Sequence, residues 1–172
     1  AFKLIVNTPS LMLFTAAAAV TSFAGYALYQ WAPSFLIRSQ GLTLEEVGTY
    51  LSPLFALGLI GSIGGGWIAD RLGPDRPQAY GIIPGLTLLI TVPFFLAALS
   101  VRDGMTSIAL FGLPLLLSYA WIGPGLAATQ TLTPPGQRAA VAALIGFFNN
   151  LIGIGLGPLA VGALSDTLRS SH

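Results

Sequence analysis

The most specific group of ionisable residues stands where a glycine-rich stretch ends in an acid and a base. Gly66 is followed four residues later by Asp70 and then by Arg71, and Gly73 comes two residues after that. A glycine lets a neighbouring helix approach closely, and a carboxylate at a helix end can pair with a basic residue or with another helix N-terminus. The pattern therefore predicts a conformational latch, closed in one state and open in another. The alternative is an ordinary charged loop that stops a helix.

Polar side chains within the long apolar stretches form a second group. Thr15, Ser22, Tyr26 and Tyr29 share one narrow stripe at helical spacing. A helix surrounded only by lipid would not place its hydroxyl groups in this way, so the stripe faces protein or water.

Two further polar positions stand later in the chain. Tyr119 shares a face with Gln130, and Pro124, which lies between two glycines, fits either a hinge or a packing notch. Asn149 and Asn150 are adjacent amides inside an apolar stretch, where polar groups are costly unless they are paired. They can bind a substrate phosphate or hold a facing helix.

The composition excludes several kinds of chemistry. There is no cysteine and a single histidine, His172, so we expect no disulfide, no thiolate nucleophile and no metal site built from these ligands. A net charge of +1 leaves no basic face for nucleic acid. No catalytic pair lies within an apolar stretch. We therefore predict that the chain is not an enzyme and has no catalytic residue, metal or cofactor.

These residues must be positioned by helices that cross a membrane. Only 8% of the 172 residues are charged, against about 25% in soluble domains, and five uncharged runs separate the charged clusters. Each run reaches the roughly 20 residues that a spanning helix needs, and the runs do not alternate as barrel strands do. We predict an all-α, polytopic transmembrane helix bundle forming one domain over 1–172. Its predicted spans are 11–37, 47–69, 77–101, 106–132 and 139–165.

An internal repeat is visible at a shift of 96 residues, which places Gly162 and Asp166 on Gly66 and Asp70. Three spans, an odd number, separate the two copies. They would therefore face opposite sides of the membrane, as in the inverted repeats of secondary transporters. Asp166 accordingly joins the predicted latch. The predicted repeat units are 10–100 and 106–172, the second incomplete.

The segment around Asp70 resembles the signature loop of the major facilitator superfamily, Gly-x-x-x-Asp-Arg-x-Gly followed by two basic residues. The two basic positions read Pro74 and Asp75 here, with Arg76 one place late. Residues 76–80 and 92–95, and the run from Phe147 to Asp166, are similar to the spinster branch of that superfamily. Together the matching stretches, from Pro33 to Asp166, resemble helices seven to eleven of a twelve-helix transporter.

The resemblance implies the C-terminal half of a major-facilitator fold with inverted three-helix repeats, whose partner is the N-terminal half (helices one to six) of the same transporter. It places Asp70 in the cytoplasm and Asp166 outside. It also implies alternating-access transport of lysophospholipid or sphingosine-phosphate-like amphiphiles, with proton coupling in bacterial members. The location implied is the lipid bilayer of the cell membrane, the inner membrane if the source is bacterial.

By family position the first span lines the central cavity, so its polar residues are candidates for contact with the substrate head group; the alternative is hydrogen bonding between helices. The substrate-binding candidates are Tyr26, Tyr29, Gln30, Tyr119, Asn149 and Asn150. No acid or base lies inside a span, so any proton-coupling acid is expected in the N-terminal half. Two other functions stay open. One is a drug or organic-anion carrier of the same superfamily, and the other is a membrane scaffold subunit without transport activity.

Overall fold

Helices make up nearly all of the protein in the computed structural model, which describes residues 1–73 and 78–170. The helices are α1 (Phe2–Asn7), α2 (Pro9–Gln40), α3 (Leu44–Leu72), α4 (Ala79–Ser100), α5 (Gly104–Ser118), α6 (Ile122–Thr131), α7 (Arg138–Asn150) and α8 (Gly157–Ser170). A 3₁₀ turn, Pro135–Gln137, precedes α7, and a π-helical segment, Leu151–Leu156, joins α7 to α8. Outside the described residues lie Pro74, Asp75 and Arg76 of the signature loop, Pro77 at the start of the third predicted span, and His172.

Five helical stretches within the described residues are long and apolar enough to cross a membrane. They are Pro9–Gln40, Leu44–Leu72, Ala79–Ser100, Gly104–Thr131 and Pro135–Thr167. No strand occurs in the ranges that the structure covers, so the predicted all-α fold with five spans is confirmed. The fourth and fifth stretches are not uniform α-helices: one is interrupted between α5 and α6, and the other contains the π segment. The first irregularity lies at Pro124, where the sequence predicts a hinge or a packing notch, and the π segment is not predicted.

The helix ends follow local chemistry. Thr8 is extended, as expected of a residue before proline, and this separates α1 from α2. Gly41, just after α2, has a φ of 72°, a left-handed conformation that glycine adopts without steric cost. α3 begins with a capping box in which the Thr43 hydroxyl accepts from the N–H of Glu46, while the Glu46 carboxylate accepts from the N–H of Thr43 at 2.8 Å.

The chain divides into two compact units, and the first comprises Ala1–Ala32 with Thr129–His172. In it, α1 packs against α7. The indole Nε1 of Trp31 in α2 donates a hydrogen bond to the carbonyl oxygen of Pro158 in α8 at 3.1 Å. This unit therefore joins the first and last membrane-length helices of the chain.

The second unit comprises Pro33–Ala128, and in it α5 packs against both α3 and α4. Phe111, which is 1% exposed, meets Phe95 edge to face with ring centroids 5.4 Å apart. The hydroxyl of the buried Ser107 donates to the carbonyl of Ala98 at 2.7 Å. These contacts give α5 a fixed position from which its C-terminal end meets α3.

Candidate functional site

In the second unit, α3 presents buried glycines to the point where α5 ends. A β-carbon added at Gly61 would overlap the carbonyl oxygen of Leu116, and one added at Gly65 would overlap that of Ala120. The two backbones therefore touch directly, because no side chain stands between them.

The break between α5 and α6 follows from Pro124. Proline has no N–H, so it cannot donate to the carbonyl of Ala120 four residues earlier. The N–H of Ala120 instead donates to the carbonyl of Leu117 at 3.0 Å, which makes a tighter turn. The Ala120 carbonyl lies against the backbone of Gly65, where a weak Cα–H donor is available. The structure therefore shows a packed notch at a helix break.

Tyr119, a predicted substrate-binding residue, lies at this break and is half-buried. Its ring covers Gly58, where an added β-carbon would lie 2.7 Å from the Tyr119 Cε2 atom. Packing against α3 thus fixes the ring inside the second unit.

The latch residues lie at the last turn of α3 and just beyond it. Asp70 and Arg71 are both exposed. The guanidinium carbon of Arg71 lies 3.9 Å from the centroid of the Trp67 ring one turn earlier, a cation–π contact that holds Arg71 along its own helix. Gly73 is buried, and a β-carbon there would overlap the ring of Tyr80. The second glycine of the motif is therefore required by packing, because a side chain at this position would overlap Tyr80.

The electrostatic position of Asp70 differs from that of Arg71. The last carbonyl groups of a helix carry partial negative charge, which disfavours a carboxylate and favours a cation there. The negative charge of the exposed Asp70 would thus be stabilised by a basic residue from another helix or loop. Gly66 supplies the close helix contact that the motif predicts, because a β-carbon on Gly123 of α6 would lie 2.8 Å from the Gly66 Cα.

The repeat-related Asp166 is exposed in α8. Four residues earlier, a β-carbon at Gly162 would lie 3.3 Å from the ring of Trp31. The second copy of the pattern therefore also combines a glycine in a helix contact with an exposed acid one turn later.

In the first unit, two residues of the polar stripe lie against the π segment. A β-carbon at Gly153 would be 2.7 Å from Cδ2 of Tyr26 and 2.9 Å from Cβ of Ser22. Tyr26 nevertheless stays 39% exposed. Its ring is thus anchored on one side by the π segment and open on the other.

The two predicted asparagines differ in their hydrogen bonding. The Oδ1 of Asn149 is shielded from solvent and has no hydrogen-bond partner within the described part of the chain. An unpaired buried acceptor costs about 1–3 kcal/mol, so a donor brought to this atom would be stabilising. Asn150 is exposed, and its Nδ2 donates to the carbonyl of Gly146 at 2.9 Å, a bond within its own helix.

The remaining candidates lie one turn along α2. Tyr29 is half-buried, and its ring would lie 3.7 Å from a β-carbon at Gly25 of the same helix. Gln30 is exposed. In the first unit, Tyr26 therefore lies against the π segment, which begins two residues after Asn149. Tyr119 belongs to the second unit.

The π segment itself is the feature of this site that sequence reasoning missed. The N–H of Gly157 reaches the carbonyl of Ile152, five residues earlier, as well as that of Gly153. Pro158 has no N–H for the carbonyl of Ile154, which weakens the regular ladder at this point. The available signal was the spacing of glycines at 153, 155 and 157 directly before a proline.

A second glycine in the first unit also contacts backbone. A β-carbon at Gly157 would lie 2.6 Å from the carbonyl oxygen of Phe23 and 3.2 Å from the nitrogen of Ala27. α2 and the start of α8 therefore meet as closely as α3 and α5 do in the second unit.

The glycine contacts in the two units follow one pattern. In each unit, one helix contributes two glycines and the facing helix contributes a tyrosine. The first glycine lies under the tyrosine ring. The second glycine, one turn later, lies against the carbonyl oxygen of the residue three positions before the tyrosine. The two glycines are three residues apart in α3 and four apart in the first unit, where the π segment holds the extra residue.

Residues 1–158 match the Major Facilitator Superfamily. The chain belongs to this family. The resemblance inferred from the signature loop is therefore confirmed, and the protein is a multi-pass membrane protein of a family of transporters. Its relatives also include spinster proteins, so the predicted resemblance to that branch is confirmed as well.

Among curated relatives, an MFS-type efflux pump of Mycolicibacterium smegmatis is 36% identical over 166 residues, which are 95% of this chain and 38% of the pump. Protein spinster homolog 1 of Homo sapiens is 28% identical over 184 residues, covering 97% of this chain and 34% of that protein. The chain thus spans little more than a third of the length of these relatives.

Solved structures show the same similarity. A bacterial homolog to the human lysosomal transporter Spinster, in an inward-facing and unoccupied conformation, matches with a TM-score of 0.88 and 26% identity. The match covers 99% of this chain and 36% of that one. The same homolog in an inward-facing and occupied conformation matches with a TM-score of 0.87.

Proposed function

We propose that this chain is the C-terminal half of a secondary transporter that moves an amphipathic substrate across the cell membrane by alternating access. The substrate class is lysophospholipid or sphingosine-phosphate-like. The partner is the N-terminal half, helices one to six, of the same transporter.

The observation that carries the proposal is the position of Tyr26 in the first unit, against a π segment that begins two residues after Asn149. Tyr26 offers an exposed aromatic face and a hydroxyl, and Asn149 offers a shielded amide oxygen without a partner among the described residues. An acyl chain suits such an uncharged aromatic wall, and the amide oxygen suits a hydroxyl or ammonium donor on the head group. The similarity to the spinster proteins supports the same class.

A second candidate is a drug carrier or organic-anion carrier. It is favoured by the efflux pump of Mycolicibacterium smegmatis, which is more similar in sequence than the spinster proteins are. The two candidates share the mechanism and differ in substrate. A scaffold without transport activity is the alternative that any substrate-dependent effect would exclude.

We further propose that Asp70 acts as a latch, with Gly66, Arg71 and Gly73 positioning it and Asp166 as its counterpart on the other side. The exposed carboxylate at the end of α3 favours a cationic partner that is present in one transport state. No acid or base lies within the apolar part of the five predicted spans. Proton coupling would therefore use an acid outside this chain.

The two glycine–tyrosine contacts support the proposal that the chain contains inverted repeats. The proposed units are residues 10–100 and 106–172, the second incomplete. In this arrangement Tyr26 and Tyr119 occupy equivalent places on the first helix of each repeat. Their contacts with Gly153 and Gly58 are then equivalent contacts, each between the first helix of one repeat and the second helix of the other.

Substrate class is tested with purified protein in neutral detergent. Lysophosphatidylcholine should raise the melting temperature more than an organic anion such as benzoate or a sugar such as glucose does. Tyr26→Ala should weaken the affinity for lysophosphatidylcholine at least about fivefold, the equivalent of a lost apolar contact of about 1 kcal/mol between the ring and the acyl chain.

The matched control is Tyr50→Ala, which removes another exposed tyrosine, 46% exposed, from α3. It should bind lysophosphatidylcholine as the unmodified protein does. A larger stabilisation by benzoate would overturn the lysolipid assignment in favour of the anion carrier. Equal losses in both variants would remove Tyr26 from the site.

The latch is tested by Asp70→Asn in cells that express this chain together with the helices preceding it in its longer relatives. We expect transport to fall about tenfold with unchanged membrane insertion, because the neutral amide no longer holds a cationic partner. Glu45→Gln, which neutralises an exposed acid at the start of α3, should leave transport intact. Unchanged transport in Asp70→Asn would exclude the latch.

A further inference from the structure

The end of the first unit that carries α1 is basic and contains no acid. Lys3 of α1 and Arg138 at the start of α7 are both exposed. The sole acid in this unit is Asp166, which is 28 residues further along the last span. At about 1.5 Å per residue, that distance is on the order of 40 Å, so no acid of this unit lies near the two positive charges.

Both basic residues are held at the end of the membrane span by packing. Ile5, which is 5% exposed, forms a cluster with Val141 and Ile145. Lys3 lies two residues before Ile5, and Arg138 lies three residues before Val141. The contact therefore keeps α1 at the first turns of α7, at the level where a spanning helix leaves the hydrocarbon core.

The outer edge of α1 is apolar. Phe2 is 58% exposed and Val6, four residues later on the same helical face, is 50% exposed. A short helix with an exposed apolar edge and a lysine fits the interface between acyl chains and head groups. α1 therefore has the composition of a segment that lies on the membrane surface.

The loop before α7 adds polar groups beside Arg138. Its Nε donates to the carbonyl oxygen of Thr133 at 3.2 Å, which fixes the side chain over the loop. Thr133 is 2% exposed, and its hydroxyl has no hydrogen-bond partner among the residues that the structure covers. Because that hydroxyl is buried, the exposed guanidinium is the group here that can donate to phosphate oxygens.

We propose that Lys3 and Arg138 form a binding surface for the head group of an anionic diacyl phospholipid such as phosphatidylglycerol, with Phe2 and Val6 against its acyl chains. Charge complementarity selects the anionic head group, and the apolar edge of α1 selects a lipid over a free phosphate. This surface is separate from the proposed substrate site at Tyr26, and it does not depend on which substrate is transported.

The test uses the purified protein in neutral detergent and measures the affinity for dioleoyl phosphatidylglycerol by native mass spectrometry. Each basic residue near an anionic lipid surface is worth about fivefold in affinity. Lys3→Gln combined with Arg138→Gln should therefore weaken binding about 25-fold. The melting temperature in the same detergent without added lipid should stay unchanged.

The matched control is Arg38→Gln combined with Arg102→Gln, which removes two exposed arginines from the opposite ends of the spans. It should bind phosphatidylglycerol within twofold of the unmodified protein. A similar loss in both double variants, or no loss in either, would overturn the proposal. Displacement of the lipid by excess glycerol phosphate would also overturn it, because the ligand would then be a free phosphate.

Two single variants keep the test decisive if the first double variant does not fold. Lys3→Gln alone should weaken binding about fivefold, since Lys3 is exposed on α1. Arg138→Lys keeps the charge and should bind nearly as well as the unmodified protein. Unchanged binding in Lys3→Gln, or full loss in Arg138→Lys, would contradict a surface held by the two charges.

Discussion

At the residue scale, the distance between α3 and α5 depends on the absence of single methyl groups. Gly61 and Gly65 meet carbonyl oxygens of the facing helix, whereas a β-carbon at Gly64 would have nothing within 4 Å. Neighbouring glycines in one helix therefore have different roles, and the difference is set by the side of the helix on which each lies.

We predict that Gly61→Ala lowers stability by about 1–3 kcal/mol, because the added methyl group must push the Leu116 backbone away. Gly64→Ala should be neutral or slightly stabilising, since alanine favours helix over glycine. Thermal unfolding of the two purified variants in the same detergent compares them directly. Equal melting temperatures would show that the α3–α5 contact is looser than described.

Asp103 is a charged residue that stabilises a helix by capping its N-terminal end. Its carboxylate accepts bonds from the hydroxyl and the N–H of Thr106, at 2.6 and 2.7 Å, and so caps α5. Chiefly through the hydroxyl bond and then through the N–H bond, Thr106 holds the pKa of the Asp103 carboxyl below its ordinary value. Since the pKa is lower in the folded state, the carboxylate adds stability above the unfolded pKa of about 3.9.

The resulting prediction concerns pH. Asp103→Ala should melt at a lower temperature than the unmodified protein at pH 7, and the gap should close as the pH falls through 3.9 toward the lower folded-state pKa. Asp103→Asn keeps an acceptor for Thr106 without a titrating group, so its melting temperature should show less pH dependence in this range. A gap between Asp103→Ala and the unmodified protein that is constant from pH 7 to pH 3 would contradict a contribution from the charge.

At the scale of elements, the spans are predictable and the geometry of their interruptions is not. The gaps between charged clusters locate all five spans, because a charge inside hydrocarbon is costly whatever the local helix geometry. The break before Pro124 and the π segment before Pro158 depend on which neighbouring groups accept the freed carbonyls. That information lies in tertiary contacts such as the approach of the Ala120 carbonyl to Gly65.

The π segment gives a test at this scale. Gly153→Ala should destabilise the first unit by about 1–3 kcal/mol, because the methyl group would meet the Ser22 backbone as well as the Tyr26 ring. It should also weaken ligand binding at Tyr26, since the ring loses its support. Gly155→Ala is the matched control, because a β-carbon there would have nothing within 4 Å.

Thermal unfolding and lysophosphatidylcholine binding measure both effects. If Gly153→Ala and Gly155→Ala behave alike in both assays, the support that Gly153 gives to Tyr26 is not needed.

At the scale of the whole molecule, residue type alone selects more candidates than the fold brings together. Tyr26 and Gly153 are 127 residues apart in sequence and lie in contact, a proximity that no local pattern encodes. Tyr119 has the same residue type as Tyr26 but belongs to the other compact unit. The sequence therefore identifies suitable side chains, and the packing of helices decides what each of them contacts.

The topology of the spans predicts on which side each loop lies. The sequence has no cysteine, so a single introduced thiol reports its own location. Gly136→Cys, between α6 and α7, and Arg102→Cys, between α4 and α5, are separated by one span. A membrane-impermeant maleimide should label them from opposite faces, with Gly136→Cys reacting in inside-out vesicles. Labelling of both from one face would exclude the five-span topology.

The π segment also determines how the two proposed repeats must be aligned. The glycines beneath the tyrosine rings, Gly58 and Gly153, are 95 residues apart, whereas Gly61 and Gly157 are 96 apart, as are Asp70 and Asp166. An alignment of the halves therefore needs a one-residue gap within 154–156, where the wider turn accommodates an insertion without rotating the helix that follows. Deleting one residue there would return the turn to α-helical geometry and leave α8 in register. The same deletion at the end of α7 would rotate Asn149 and the residues before it by about 100° relative to α8.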